Sequence, residues 1–143
     1  MKTSGTTISA RLVDGRFPRW RDVFPERPQA AQVQFVAGPL LAAVRQAAIV
    51  TSEQSKGVDF SFEPGQLVLA GRSAESGESR VELPIDHAGA AVRIKLDPRF
   101  VVDFLRVLDG AVNVTVEITD PQSACVCRTE DGYGYVIMPL AAD

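Results

Sequence analysis

The feature that most constrains the fold is an order of predicted elements that occurs twice along the chain. In each copy, a strand precedes a helix whose first turn contains proline, and three strands follow the helix. The two prolines are Pro39 and Pro98. Proline suits a first helical turn because the amide that it lacks would have no partner inside the helix. A unit of this kind, used twice, predicts a two-layer α+β domain.

The first copy begins with a strand over residues 30–36, in which Val33 and Phe35 alternate with polar residues. A helix is predicted over residues 38–50, because apolar residues recur on one of its faces. The three strands that follow are predicted over residues 58–62, 66–70 and 79–85.

The second copy begins with a strand over residues 91–96. A helix follows over residues 97–109, with Asp97 placed to cap its free amides and an apolar stripe on one face. The last three strands are predicted over residues 111–118, 123–128 and 133–138. The predicted fold is therefore α+β, with two helices packed on one face of a roughly eight-stranded antiparallel sheet and an internal pseudo-two-fold repeat.

Two features precede the first copy. Apolar and polar residues alternate over residues 6–13, which predicts a half-buried strand. The stretch RLVDGRFPRWRDVFP, residues 11–25, overlaps it and is called the N-terminal arm below. The arm places Phe17, Trp20 and Phe24 where the chain turns, which is an unusual amount of aromatic surface for a loop.

The composition is that of one globular domain. The chain has 143 residues, 45% of them hydrophobic, and a formal net charge of −3. This acidic balance argues against a protein that binds nucleic acid over its whole surface, but it is compatible with a local basic patch. No stretch approaches the roughly 20 apolar residues of a membrane helix. The first residues lack the apolar core of a signal peptide, so we expect a cytoplasmic protein.

The two cysteines, Cys125 and Cys127, lie two positions apart on a predicted strand, which is poor geometry for a disulfide. The chain has one histidine, so these residues cannot complete a zinc site by themselves. We expect reduced thiols, no metal and no cofactor.

Four motifs in register resemble one known family. They are the N-terminal arm, AAVRQAAIVTSEQSKGV at residues 42–58, LDPRFVVDFLRVL at residues 96–108 and YVIMPL at residues 135–140. Together they span about residues 6–140 and resemble the third domain of the bacterial sliding clamp, the β subunit of DNA polymerase III. The resemblance implies that residues 1–14 correspond to the last strand of a preceding clamp domain, without the rest of that domain, and residues 15–143 to the third domain.

Members of that family carry three such domains per subunit, and two subunits form a ring around duplex DNA. They have no catalytic activity. They tether the polymerase to DNA and recruit partners, such as polymerase and clamp-loader subunits, through a short, mostly apolar peptide motif. The resemblance therefore implies a part of a processivity clamp in DNA replication.

The resemblance also implies a peptide-binding groove built from the arm and the chain end, formed by Pro18, Val23, Val136, Met138, Pro139 and Leu140. An apolar groove accepts anchor side chains, and Met adapts to varied partners. The residues alone also allow Val136 and Met138 to be ordinary core residues of the last strand, and Trp20 and Phe24 to do no more than close off the domain core. Asp22 stands where some relatives carry a basic residue, so partner preference is expected to differ.

The resemblance places Arg45, Arg99 and Arg106 toward DNA, on the polar sides of the two helices. Three arginines predict a weak, salt-sensitive contact with phosphates that carries no sequence preference. The alternative is a solvated helix face on which Asp103 balances the charge.

A subunit interface with the first domain of another subunit is implied at Ile49, Val50, Glu75 and Glu78. Arg80 interrupts a region that is more acidic in some relatives. The alternative is an exposed hairpin with scattered charge. We expect a monomer, or a weak dimer through an unpaired sheet edge.

Two other functions are compatible with the sequence. A hydrolytic enzyme would use Asp86, His87 and a serine such as Ser123, but no nucleophile or phosphate-binding motif supports it. A stand-alone regulator that captures clamp-binding peptides would keep the same fold and the same groove.

Overall fold

A computed structural model describes residues 4–24, 26–52 and 56–141. Pro25 and residues 53–55, which belong to two of the motifs above, lie outside the described residues, as do residues 1–3 and 142–143 of the predicted domains. The elements of the described chain are α1 Trp20–Val23, β1 Ala31–Val36, α2 Ala37–Ala48, β2 Val58–Glu63, β3 Gln66–Ser73, β4 Gly77–Pro84, β5 Val92–Leu96, α3 Pro98–Leu105, β6 Asn113–Ile118, β7 Cys125–Thr129 and β8 Gly134–Ile137.

The duplicated unit and the α+β class are confirmed. The first copy is β1-α2-β2-β3-β4 and the second is β5-α3-β6-β7-β8. The described strands form two four-stranded antiparallel sheets and not the single sheet that was predicted. Sheet 1 has the order β1-β6-β7-β8, and sheet 2 has the order β4-β3-β2-β5. The sequence pattern also did not predict the short helix α1.

Each copy contributes its first strand to the sheet of the other copy. In sheet 1, β1 pairs with β6, with Val33 opposite Val116. In sheet 2, β5 pairs with β2, with Ile94 opposite Phe60. Neither copy can complete its own sheet, so the two copies form one interlocked domain.

The inner faces of both sheets share one core with α2 and α3. Phe35 of β1 and Phe62 of β2 bring the sheets together, with ring centroids 6.3 Å apart. Phe104 of α3 is fully buried and lies 5.4 Å from the Tyr133 ring and 5.5 Å from the Tyr135 ring. Complete burial of a side chain of this size contributes roughly 1.5–3 kcal/mol. The core therefore couples the two sheets energetically.

The two long helices begin in different ways. Asp97 caps α3 by accepting a hydrogen bond from the Arg99 amide at 3.0 Å, and Pro98 occupies the first turn. The first amides of α2 instead donate to backbone oxygens of the loop after α3, Ala37 to Val112 and Gly38 to Gly110, each at 2.9 Å. The start of α3 thus depends on the Asp97 side chain, whereas the start of α2 depends on tertiary contact with the loop after α3.

The strand predicted over residues 6–13 is wrong. Thr7 forms an isolated bridge, and residues 8–14 have no regular structure. The side chains of Leu12 and Val13 are 88% and 96% exposed. Alternation forms a strand only where a neighbouring strand supplies a hydrogen-bonding ladder, and in the described part of the chain this segment forms only the bridge at Thr7.

Candidate peptide-binding surface

The last strand presents alternate side chains to opposite faces of sheet 1. Ile137 is buried in the core, and Tyr135 packs against Phe104. Because side chains alternate along a strand, Gly134, Val136 and Met138 lie on the outer face. Val136 is half-buried, but Met138 is 66% exposed. The interpretation of Met138 as a core residue is therefore wrong.

The N-terminal arm presents apolar side chains to solvent. The arm includes α1, none of whose residues is buried. Phe17 is 93% exposed, Trp20 63% and Val23 52%, and Pro18 is also exposed. Solvent-exposed apolar and aromatic side chains of this density are typical of a surface that binds a partner.

Phe24 attaches the arm to sheet 1. A Cβ atom built on Gly134 would lie 2.7 Å from Cε1 of Phe24, so the ring lies directly against the Gly134 backbone. The guanidinium carbon of Arg128 stands 5.3 Å from the centre of the same ring, and the Trp20 ring meets it edge-on at 6.1 Å. Phe24 therefore lies between the arm and the outer face that carries Val136 and Met138.

A second attachment follows along the chain. Nη1 of Arg27 donates to the Ala124 carbonyl oxygen at 2.9 Å. Val126 lies opposite Glu117 and Val136 on the outer face, yet its side chain is fully buried. Val126 lies between the two attachments on the strand, which indicates that the chain crosses sheet 1 at this point.

The structure thus brings only some of the six residues predicted for the groove close together. Val23 is next to Phe24 in the chain. Phe24 contacts β8, the strand that contains Val136 and is followed by Met138. Pro139 and Leu140 are half-buried, and the Leu140 amide donates to the Lys95 carbonyl oxygen at 2.8 Å, so the chain end turns toward sheet 2.

The residues that join the arm to the sheet had only a weak signal in the sequence. They are Phe24, Arg27, Arg128 and Gly134. A glycine within a strand is such a signal, because it often marks a close approach of other atoms. The identity of those atoms depends on a contact between residues about 110 positions apart, which local pattern does not encode.

The three arginines predicted to face DNA are exposed on α2 and α3. Arg99 lies 2.7 Å from Asp97, and Arg106 lies 3.3 Å from Asp103. The hydrogen bond from Arg99 lowers the pKa of Asp97, so this pair is charged at neutral pH. The alternative interpretation required Asp103 to balance charge on this helix face, and the pair of Asp103 with Arg106 does so. Each guanidinium has five N–H donors and retains some for other acceptors.

The residues predicted for the subunit interface lie at the end of α2 and along the edge of sheet 2. Ile49 is 77% exposed and Val50 is half-buried. Glu75 and Glu78 are both exposed. Glu78 accepts from Arg72 at 3.0 Å, which neutralises part of the acidic edge within the chain.

The residues considered for catalysis are bonded elsewhere. His87 is buried, and its Nε2 lies 3.2 Å from the Ala90 carbonyl oxygen inside the turn between β4 and β5. Ser123 Oγ donates to Asp120 at 2.5 Å in a different turn. These contacts stabilise turns and do not form a nucleophile and its base.

The cysteines are free, as predicted, and both are buried on the inner face of β7. A hydrogen bond with Cys125 and burial raise the pKa of Cys127 well above its usual value, so the thiol stays protonated. Within the three described ranges, no cluster of three or more His, Cys, Asp or Glu residues could hold a metal ion. The same part of the chain contains no helix of the length and apolarity needed to cross a membrane.

A sequence profile described as "DNA polymerase III beta subunit, C-terminal domain" matches residues 21–141. The chain belongs to this family. The resemblance inferred from the four motifs is therefore confirmed, and the match covers both copies of the repeat and the last residues of the arm.

Curated relatives named "Beta sliding clamp" agree with this family. The protein of Escherichia coli K12 is 30% identical over 135 residues, which are 93% of this chain and 36% of the relative. That of Chlamydia muridarum is 26% identical over 140 residues, which are 98% of this chain and 38% of the relative. The chain thus spans a little over a third of the length of these relatives.

Solved structures support the same fold. The β subunit of DNA polymerase III from Thermotoga maritima superposes with a TM-score of 0.82 at 26% identity, over 93% of this chain and 36% of that one. The Caulobacter crescentus sliding clamp with bound PEG gives a TM-score of 0.81 at 28% identity, over 90% and 35%. The interlocked two-sheet domain is therefore a sliding-clamp domain.

Proposed function

We propose that this chain provides the peptide-binding site of the C-terminal domain of a sliding clamp, a non-catalytic processivity factor that tethers DNA polymerase III to DNA in the cytoplasm. The observation that supports it most is the attachment of the N-terminal arm, through Phe24, to the face of sheet 1 that carries Val136 and Met138. A stand-alone regulator of clamp partners would use the same surface.

The chemistry of this surface favours a short apolar peptide. Val23 and Met138 expose 52% and 66% of their area on two segments that Phe24 holds together. Apolar anchor side chains of a peptide gain free energy by covering such atoms without needing hydrogen bonds. The Caulobacter crescentus relative is described with PEG bound to its putative beta-motif tethering region. We expect dissociation constants in the high micromolar range or weaker.

NMR titration with a short apolar peptide of the clamp-binding type tests this proposal. Resonances of Val136, Met138 and Leu140 should shift together as the peptide is added. Met138→Ala should weaken binding, whereas Val107→Ala, which removes a similarly exposed side chain from the end of α3, should not. Unshifted resonances at millimolar peptide would rule out the groove.

The arginines of the helices would serve the second role of the clamp. Arg45, Arg99 and Arg106 are proposed to contact DNA phosphates, and Asp97 and Asp103 partly balance the charges of Arg99 and Arg106. Binding should be weak and should fall steeply with salt. Tight binding of this chain to duplex DNA at physiological salt would contradict the assignment.

The end of α2 and the edge of sheet 2 are proposed as the contact with the first domain of another clamp subunit. Ile49 supplies an exposed apolar side chain there, and Glu75 and Glu78 supply acidic groups. Sedimentation of the chain alone should give a monomer or a weak dimer. A stable closed ring formed by this chain alone would overturn the expectation.

A further inference from the structure

The attachment of the N-terminal arm depends on a residue outside the six proposed groove residues. The Phe24 ring lies on the Gly134 backbone, with the built Cβ position 2.7 Å from Cε1 and 3.0 Å from Cζ. These distances leave no room for a side chain at position 134 while the Phe24 ring stays in this place. Gly134 is followed by Val136 on the same face of the strand, so the contact lies directly beside the proposed groove.

Gly134 is required here by space and not by backbone conformation. The glycines with positive φ among the described residues are Gly15, Gly65, Gly77 and Gly132, and Gly134 is not one of them. Any residue can adopt the backbone of Gly134, and glycine weakens a strand relative to alanine. Close approach of another group is the usual reason for glycine at such a position.

The Phe24 ring also contacts a cation. Arg128 pairs with Gly134 across β7 and β8, and its guanidinium carbon lies 5.3 Å from the ring centre. Nε of Arg128 also donates to Glu117 at 3.3 Å, which limits the movement of the guanidinium. Cation–π contact adds attraction to the steric fit. Phe24 therefore contacts both Arg128 and Gly134, which holds its ring at one place on the sheet.

The contact extends into the arm through the single tryptophan of the chain. Trp20 meets Phe24 edge-on at 6.1 Å, and the Arg21 guanidinium carbon lies 5.0 Å from the centre of the indole ring. Trp20 stands between Pro18 and Val23, the two proposed groove residues of the arm. We therefore expect a change in the position of Phe24 to displace Trp20 and both of these residues.

We propose that Phe24, seated on Gly134 beneath Arg128, is a positioning residue for peptide binding. It sets where Pro18 and Val23 lie relative to Val136 and Met138 without itself contacting the peptide. This inference rests on the proposed function of the groove. It predicts that peptide affinity depends on whether position 134 lacks a side chain.

A double-mutant cycle tests the proposal. Gly134→Ala should push the Phe24 ring away and weaken peptide binding about five- to tenfold, and Phe24→Ala should have a similar effect. The double variant should bind no more weakly than Phe24→Ala, because the methyl group then meets no ring. Gly5→Ala is the matched control, since a Cβ there meets nothing within 4 Å. Wild-type affinity in Gly134→Ala, or additive losses in the cycle, would overturn the proposal.

Acrylamide quenching of Trp20 fluorescence provides a second measurement that needs no peptide. Gly134→Ala should raise the quenching constant toward that of Phe24→Ala, and Gly5→Ala should leave it unchanged. If wild-type protein fails to bind any peptide while quenching changes as expected, the proposed function fails and the positioning of the arm stands. Unchanged quenching in Gly134→Ala would refute the positioning itself.

Discussion

The edge strands β4 and β8 occupy equivalent places in the two copies of the repeat, but they present opposite chemistry. Each is the third strand after its helix and closes one end of its sheet. The outward residues of β4 are Glu78, Arg80 and Glu82, and those of β8 and the residue after it are Gly134, Val136 and Met138. The outward residues of β4 are therefore charged, whereas those at β8 are uncharged and include the glycine that Phe24 contacts.

The difference shows how one duplicated fold acquires two distinct surfaces. On sheet 2, Arg72 pairs with Glu78 and Arg80 pairs with Glu82, each at 3.0 Å in solvent. Exposed pairs of this kind add little stability, but charged edge strands resist unwanted strand pairing. On sheet 1, the edge strand β8 carries no charged residue, and the arm lies against it through Phe24. A difference in function between the two sheets must therefore come from their outer faces, because the inner faces of both pack into the same apolar core.

The largest expected effect tests whether the two halves form one unit. Phe104→Ala should destabilise the protein by about 3–5 kcal/mol, because it removes a fully buried ring from the shared core. Urea denaturation should show a single transition, and hydrogen exchange should accelerate in both sheets together. Phe104→Leu should lose less. Protection that persists in one sheet after it is lost in the other would show that the halves are independent.

A smaller effect should separate two strand glycines. A Cβ on Gly71 of β3 would lie 2.5 Å from the Ala47 carbonyl oxygen, which belongs to the backbone of α2. Gly71→Ala should therefore cost about 1–3 kcal/mol, as expected for overpacking. Gly134→Ala should cost much less, because the Phe24 side chain can move and a helix backbone cannot. Equal losses in thermal denaturation would show that the arm is held as rigidly as α2.

The contrast between the edge strands predicts unequal effects on peptide binding. Met138→Glu gives β8 the charge of β4 and should weaken peptide binding at least about tenfold, or about 1.4 kcal/mol, because a carboxylate would be desolvated by apolar anchors. Glu82→Gln alters charge on β4 and should leave affinity unchanged. Calorimetric titration measures both. Loss of binding in Glu82→Gln would place the peptide on the other sheet.

The smallest effect concerns the helix starts. The pKa of Asp97 is lowered in the folded state, chiefly by hydrogen bonds from the Arg99 side chain. The ionised Asp97 therefore stabilises the folded protein above the ordinary Asp pKa of about 3.9, and this stabilisation is lost as the pH falls below that pKa. Asp97→Asn should cost about 0.5–1 kcal/mol at neutral pH, since Asn still caps the helix and Arg99 is exposed. Its stability curve should be flatter in acid. An unchanged acid slope would show that the cap of α3 does not depend on the charge of Asp97.

Much of the local structure was predictable because period and capping are local properties. The alternation of Val33 and Phe35 specifies the face that β1 buries, and Asp97 with Pro98 marks the start of α3. The same logic failed for residues 6–13, where alternation is present but no ladder exists in the described chain. The division into two sheets was also missed, because it depends on the pairing of β5 with β2.

The candidate site was predictable only in part. The resemblance to sliding clamps identified the residues of the arm and of the chain end, and the structure places Met138 in solvent and Phe24 against Gly134. The pairing of Arg106 with Asp103 follows from their spacing on a helix. The contact of Phe24 with Gly134 does not follow from the spacing of residues in the sequence.

Within the duplicated unit, the amino-acid sequence by itself determined which elements form and which face each one buries, because hydrophobic periodicity acts over a few residues. The tertiary structure decided which strands became neighbours and which aromatic ring met which glycine. Those outcomes join positions far apart in the chain, and they depend on close packing that a local pattern cannot specify.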